Sequence, residues 1–513
     1  MRFASFLGVA SALALSLAAT GCSGSKAHPN VVLVVIDSLR ADALGCYGKQ
    51  PSPSPNIDRL ADEGERYERA IAQAPWNLPS ISSLLTSVYP SHHVMNAGSH
   101  DVATLAEVFD KAGYHTAAFV EATWPLLARG FATVQNTSPN DLYGSPEANS
   151  AHTTVAAATD WLAKQGDAPS FLLIHTYQVH SYFLGKPSQH AAAQKARPNY
   201  NGPFRDWKVR DTEGNAGNQV MQALLHASPE DLTYVRALYE AAVAETDSAV
   251  GELAKALQDR GLDKDTILVL TSSNGEGFRP DLKRVHHGGR LHDDQLHVPL
   301  IIRWPGRIAP GKDRDLVEEI DVAPTLVRLA GLKDEPLFKG RALFDAETGF
   351  WSKLRGPRFV SAPAKEQIAV AEESALRISP SGQRESTTMR QAALYSGWLT
   401  LIDAGDHVEL YDLKADPKQE NNLCAGFGDA AALAQARQAA GSKAKNETTA
   451  GLESLGYLEG AVAETDESLC GPHSDAVRAL YAQLRSRLGE PSGQASGLPD
   501  DVANQLRSLG YVQ

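Results

Sequence analysis

Positive charge is in deficit along this chain. Lys and Arg number 48 against 61 Asp and Glu, a formal net charge of −13 at neutral pH. Such a surface has no basic field to collect phosphates, which argues against a nucleic-acid partner. Cysteine is also scarce, with four in 513 residues, and no spacing among them marks a zinc site. In an oxidising compartment Cys424 and Cys470 can pair, leaving Cys46 alone. Long apolar runs are missing beyond the N-terminus. Phe6 to Ala19 is apolar but too short to span a bilayer as a stable helix, and no other stretch approaches that length.

What is present begins with a targeting segment. Met1-Arg2 supplies a short positive start, the apolar run follows, and Ala18-Ala19-Thr20-Gly21-Cys22 closes it with small residues. Gly immediately before Cys is the pattern of a bacterial lipoprotein signal, with Cys22 as the lipidated N-terminus; a plain secretory signal is the alternative. The expectation is a signal over 1–21, a linker over 22–29 and a lipid-tethered protein in the bacterial cell envelope, facing the periplasm or the exterior.

Hydrophobic content of 43% and charged content of 21% fit a globular protein, and the length calls for one large domain with smaller appended parts. Asn30–Ile36 (NVVLVVI), Ser170–His175, Thr266–Thr271 and Val298–Trp304 read as buried strands, continuous in apolar residues rather than alternating. Helical stretches are expected over Asn56–Gln73, Val102–Gly113, Ala151–Gln165 and Pro229–Arg260, and Gly185–Gly214 reads as a polar surface insertion. Alternating strands and helices predict an α/β fold, a large mostly parallel sheet flanked by helices over 30–385. A small antiparallel sheet is expected over 386–425, then a helical or partly disordered tail over 426–513. A seven-residue repeat at 452–458 and 506–512 is too short for a solenoid.

In such sheets the ligand crevice lies beyond the carboxyl ends of the strands. Asp37, His180 and Ser273-Asn274 all follow strand ends closely. The stretch Gln73–His93 (QAPWNLPSISSLLTSVYPSHH) reads as a corner into a helix, with Asn77 at the N-cap and Pro79 in the first turn. A helix N-terminus is an anion site, so residue 77 stands where a nucleophile for a sulfate or phosphate ester would stand.

The ordered segments NVVLVVIDSLRADALGCYG, SPNIDRLADEGERYERAIAQAPW, LPSISSLLTSVYPSHH, FLLIHTYQVHSYF, VLTSSNGEGF, LHVPLIIRWPG, DVAPTLVRLAGL and ELYDLKADPKQENNL cover about residues 30–425. In them the chain resembles the sulfatases, a branch of the alkaline-phosphatase superfamily. The resemblance implies a Cys or Ser, converted to formylglycine, at the head of a Cys/Ser-x-Pro-Ser/x-Arg motif. It also implies a Ca²⁺ or Mg²⁺ held by acidic and amide oxygens, and cationic donors around the transferred group. Asp37 matches the first metal carboxylate, with Ser38 where many relatives have a second Asp, and Asn274 matches an amide ligand. Ser273 stands where the family has an Asp, Asn77 at the nucleophile and Ile81 at the motif Arg. His180 matches the His of a His-x-x-x-Pro-His loop, with Val179 in place of the Pro. His287 matches a distal donor, with His286 and His292 close by. Formylglycine is therefore not expected, and Ca²⁺ or Mg²⁺ is expected to be held weakly or not at all. Two functions follow: a non-catalytic sulfatase-like protein that binds a sulfated or phosphorylated glycan or small ester, or an active ester hydrolase with an atypical nucleophile.

Overall fold

The run Asn30–Ile36 forms strand β1, and its pleat sends alternate residues to two separate cores. Val31, Leu33 and Val35 join one cluster, while Val32, Val34 and Ile36 join the other. That division requires apolar cover on both sheet faces, which explains why the run is continuous rather than alternating. The computed structural model describes residues 28–93, 102–122, 125–138, 150–209, 216–347, 357–378, 384–404, 407–426 and 469–488. The targeting segment, Cys22 and the seven-residue repeat lie outside them.

The main sheet continues with β2 (Glu65–Ile71), β3 (His115–Val120), β4 (Thr133–Asn136), β5 (Ser170–Thr176) and β6 (Thr266–Thr271). After β6 comes a short hairpin, β7 (Gly277–Arg279) and β8 (Arg284–His286), and then β9 (His297–Arg303) and β10 (Gly311–Glu318). The spatial order is β10-β2-β9-β6-β1-β5-β3-β4, parallel except where β9 runs against β2 and β6. The helices Asn77–Thr86 and Val322–Leu329 cover one face, through Ile81, Leu84, Leu85 and Leu326. Ala151–Leu162 and the long helix Pro229–Asp259 cover the other, through Val155, Leu162, Leu238 and Val250. Each fully buried Leu or Val there contributes about 1.5–3 kcal/mol.

Three expectations are corrected. The stretch 56–73 is not one helix: Pro55–Asp62 is helical and Glu65–Ile71 is β2. Gly64 separates them because a Cβ there would meet the Ile302 carbonyl oxygen at 2.7 Å. The segment 185–214 is not a polar surface insertion. It carries the helix Pro187–Ala196, and Tyr200, Phe204 and Val209 enter the second core. Asn77 is not the N-cap; Trp76, in extended conformation, holds that place and Asn77 opens the helix.

Beyond a two-stranded piece, β11 (Phe344–Ala346) and β12 (Phe359–Ser361), lies the small antiparallel sheet. It comprises β13 (Ile368–Ile378), β14 (Arg384–Ser396), β15 (Leu399–Asp403) and β16 (Val408–Asp412) in that order. It starts at Ile368, so a boundary at 386 falls within β14. The polar residues of β13 hide it in the sequence, and one of them, the buried Glu372, accepts the Ser91 N–H at 2.8 Å. Ala369, Ala371, Ala393 and Ile402 face the main domain against Ile71 and Leu316. Val370, Leu394, Leu401 and Leu410 face the helix Ser474–Leu488, and the Cys424–Cys470 disulfide ties that helix to the sheet. Among the described residues no helix is long and apolar enough to cross a membrane.

Candidate functional site

Asp37 leaves the carboxyl end of β1 fully buried, and its carboxylate is ringed by donors. Asn77 Oδ1 accepts the Leu78 N–H at 2.6 Å, which turns Nδ2 the other way. Nδ2 donates to Asp37 Oδ2 at 2.9 Å and to Tyr177 Oη at 2.6 Å. Ser273 Oγ lies 3.0 Å from Asp37 Oδ1 and 2.8 Å from Asn274 Oδ1. Ser38 Oγ donates to Asp37 Oδ1 at 3.2 Å and accepts from Asn274 Nδ2 at 3.3 Å. Ser38 sits at φ +60°, a conformation that side chains rarely adopt. The Tyr239 hydroxyl holds it there by donating to its carbonyl at 2.7 Å. Backbone strain held in place at a strand end is common at functional sites. The structure thus brings Asp37, Asn77, Ser273 and Asn274 into one cluster.

A histidine group adjoins it. Burial alone would raise the Asp37 carboxyl, but the neighbouring imidazole of His175 and the fields of His180 and His287 outweigh it, holding the group well below the usual carboxylate range. The His180 and His287 rings are 4.8 Å apart, and those of His286 and His287 are 3.9 Å apart. Burial, with His287 adding to it, pushes His180 down to about 3. Glu276 sits beneath, its two oxygens 3.2 and 2.9 Å from Nδ1 of His286 and His287.

His175, Tyr177 and Glu276 were absent from the sequence reading. His175 and Tyr177 end β5 as Asp37 ends β1, so the strand-end rule that found Asp37 reaches them too. Glu276 needs the β7–β8 register: Gly277 pairs with His286, which sets Glu276 opposite His287.

The Asp37 cluster does not suit a hard cation. Ca²⁺ and Mg²⁺ take six or more oxygens, several of them anionic. Here a single carboxylate is available, and both its oxygens already meet N–H or O–H dipoles whose positive ends occupy the place a cation would take. Residue 77 carries no hydroxyl, thiol or aldehyde, and Ile81 is wholly buried in the first core.

Behind the cluster, Glu319 holds a proton. Thr271 Oγ1 lies 2.6 Å from Glu319 Oε1 and 2.9 Å from the Pro299 carbonyl oxygen. A hydroxyl has one hydrogen. It satisfies both contacts only by donating to Pro299 while accepting from a protonated Glu319. Burial raises the group from 4.5 to about 8. Its stabilising contribution is therefore full below pH 4.5 and is lost as pH rises towards 8, at roughly 1.4 kcal/mol per pH unit. The Glu319→Gln variant keeps a neutral donor and acceptor. Its urea midpoint is expected to fall less between pH 6 and 9 than that of the parent; parallel curves would refute the assignment.

Comparisons with known proteins agree with this architecture. The sulfatase family model matches residues 29–332. N-acetylgalactosamine-6-O-sulfatase of Bacteroides thetaiotaomicron is 23% identical over 77% of this chain and 89% of its own. Arylsulfatase A of Homo sapiens is 25% identical over 83% and 88%. Among solved structures, the phosphonate monoester hydrolase of Agrobacterium radiobacter superposes with a TM-score of 0.57 at 21% identity, over 81% of this chain and 94% of that one. A second, solved in complex with its substrate D-glucosamine-2-N,6-O-disulfate, gives 0.58 at 19% identity, over 78% and 94%. At these identities the solved structures establish the fold.

Proposed function

The chain belongs to the sulfatase family, and we propose that within it this protein is a non-hydrolytic member that binds a sulfated saccharide or small anionic ester. The site in question lies beyond the carboxyl ends of β1, β5 and β6. One observation carries the reading: Asn77, at the nucleophile's place, donates its amide to Asp37 instead of presenting an attacking atom. Ser273 reinforces it by offering a hydroxyl where a carboxylate would hold a cation. Without a nucleophile at 77 or a hard cation at Asp37, the covalent route of the family has no starting group here.

The ligand class is supported by the relatives, whose names specify sulfated N-acetylgalactosamine and glucosamine. The net charge of −13 favours a short anionic ligand over a long polyanion. Tethering to the bacterial cell envelope through a lipid on Cys22 is part of the same proposal.

The test is purified protein with nitrocatechol sulfate and nitrophenyl phosphate, beside calorimetry with 6-sulfated and desulfated N-acetylgalactosamine. The expected result is no turnover above the Asp37→Ala background, and binding of the sulfated sugar only. Turnover that Asp37→Ala abolishes would overturn the reading, as would equal binding of both sugars.

A further inference from the structure

Beside the Asp37 cluster stands a donor set of another chemical kind. Glu276, His286 and His287 are buried, and one ligand atom from each lies within 4.8 Å of the other two. The β7–β8 hairpin builds this arrangement. Gly277 pairs with His286, and a Cβ at Gly277 would meet the His286 carbonyl oxygen at 2.9 Å, so the two strands approach as only glycine permits. His286 itself sits at φ +59°, followed by Gly288 and Gly289 at positive φ. That bend turns two consecutive imidazoles towards one carboxylate, where an extended strand would send them to opposite faces. From this geometry we infer that Glu276, His286 and His287 form a site for a divalent transition cation of the zinc class, distinct from the Asp37 position.

Donor chemistry selects the metal. Two imidazole nitrogens and one carboxylate suit zinc and its neighbours, whereas Ca²⁺ and Mg²⁺ require oxygen shells. Three protein ligands leave a position open, and the His180 ring adjoins the set, 4.8 Å from that of His287. Charge balance points the same way. Glu276 is fully buried, and among the described residues it has only histidine as an ion-pair partner. A divalent cation held there offsets the buried Glu276 charge, which is costly to leave alone. On binding, each neutral imidazole gives its Nδ1 lone pair to the metal and carries its proton on Nε2.

The inference does not depend on whether the protein hydrolyses esters, so the two can fail separately. Untagged full-length protein is titrated with Zn²⁺ against a chromogenic chelator, with bound metal counted by mass spectrometry. One equivalent is expected, and Glu276→Gln and His287→Gln should each weaken it by about tenfold or more. Asp37→Asn should change affinity less than about threefold, since it lies outside the set. Circular dichroism verifies folding; if Glu276→Gln does not fold, His287→Gln is decisive. A Co²⁺-loaded sample gives a second readout, because its visible bands should shift in His286→Gln. Failure to retain zinc overturns the site, as does affinity indifferent to the substitutions at 276 and 287. An equal loss in Asp37→Asn would place the cation at Asp37 and overturn it too.

Discussion

Replacing Ser273 by Asp is expected to convert a calcium-indifferent protein into a calcium-dependent one. Ser273 Oγ lies 3.0 Å from Asp37 Oδ1, so a carboxylate at 273 meets the Asp37 carboxylate in a fully buried space. Two such charges at about 4 Å repel by about 4 kcal/mol even at an effective dielectric of 20. Without metal the variant must share a proton between them or lose stability, and it should melt below the parent in EDTA. With calcium the same pair becomes an asset. Asn274 Oδ1, 2.8 Å from Ser273 Oγ in the parent, adds an amide oxygen to the two carboxylates. One millimolar Ca²⁺ acting on a site of about 10 μM affinity contributes about 2.7 kcal/mol, or roughly 3 °C for a chain this size. The parent should move by less than a third of that. Thermal melts of both proteins in EDTA and in Ca²⁺ decide the matter. A parent stabilised by calcium as strongly as the variant would show that Asp37 and its neutral neighbours already hold the ion.

The same residues mark how far the sequence could be read. β1, β5 and β6 were legible because both faces of each are covered, so their apolar runs are continuous and end where the strands end. Asp37, Ser273 and Asn274 followed from those ends. β2 was not legible as a strand: Glu65–Ile71 places its apolar residues at 67, 70 and 71, the spacing of a helix face, and the preceding Gly64 matters only because the Ile302 carbonyl is close. Asn77 was placed at the right corner but given the wrong task. A capping asparagine and one that donates to a distant carboxylate look alike until Leu78, Tyr177 and Asp37 surround it. Glu276 was invisible because its partners arrive through a three-residue hairpin whose register no periodicity announces.

Removing the Cys424–Cys470 disulfide should produce the largest loss of stability of any change away from the crevice. The bridge closes a loop with a sequence separation of 46, for which chain entropy gives a contribution of about 4 kcal/mol. Its position concentrates the effect. Cys470 lies four residues before Ser474, whose hydroxyl accepts the Cys470 N–H at 2.8 Å, so the helix Ser474–Leu488 begins directly beyond the bridge. That helix covers Val370, Leu394, Leu401 and Leu410 with Val477, Leu480, Tyr481 and Leu484. Its polar contacts among the described residues include His92 on the Leu488 carbonyl and the exposed Arg487–Glu366 pair, which adds little. In Cys424→Ala/Cys470→Ala the helix keeps its apolar face but loses its tether, and local opening becomes easier by about 4 kcal/mol, close to a thousandfold in equilibrium. Amide exchange over 474–488, and over β13 and β16 beneath it, should accelerate accordingly. β1 and β5 lie across the main domain and should keep their protection, because the small sheet reaches that domain through its other face, at Ala369, Ala393 and Ile402. Unchanged exchange in the helix would mean that its apolar contacts alone hold it. Equal acceleration in β1 would mean that the small sheet and the main domain open as one unit.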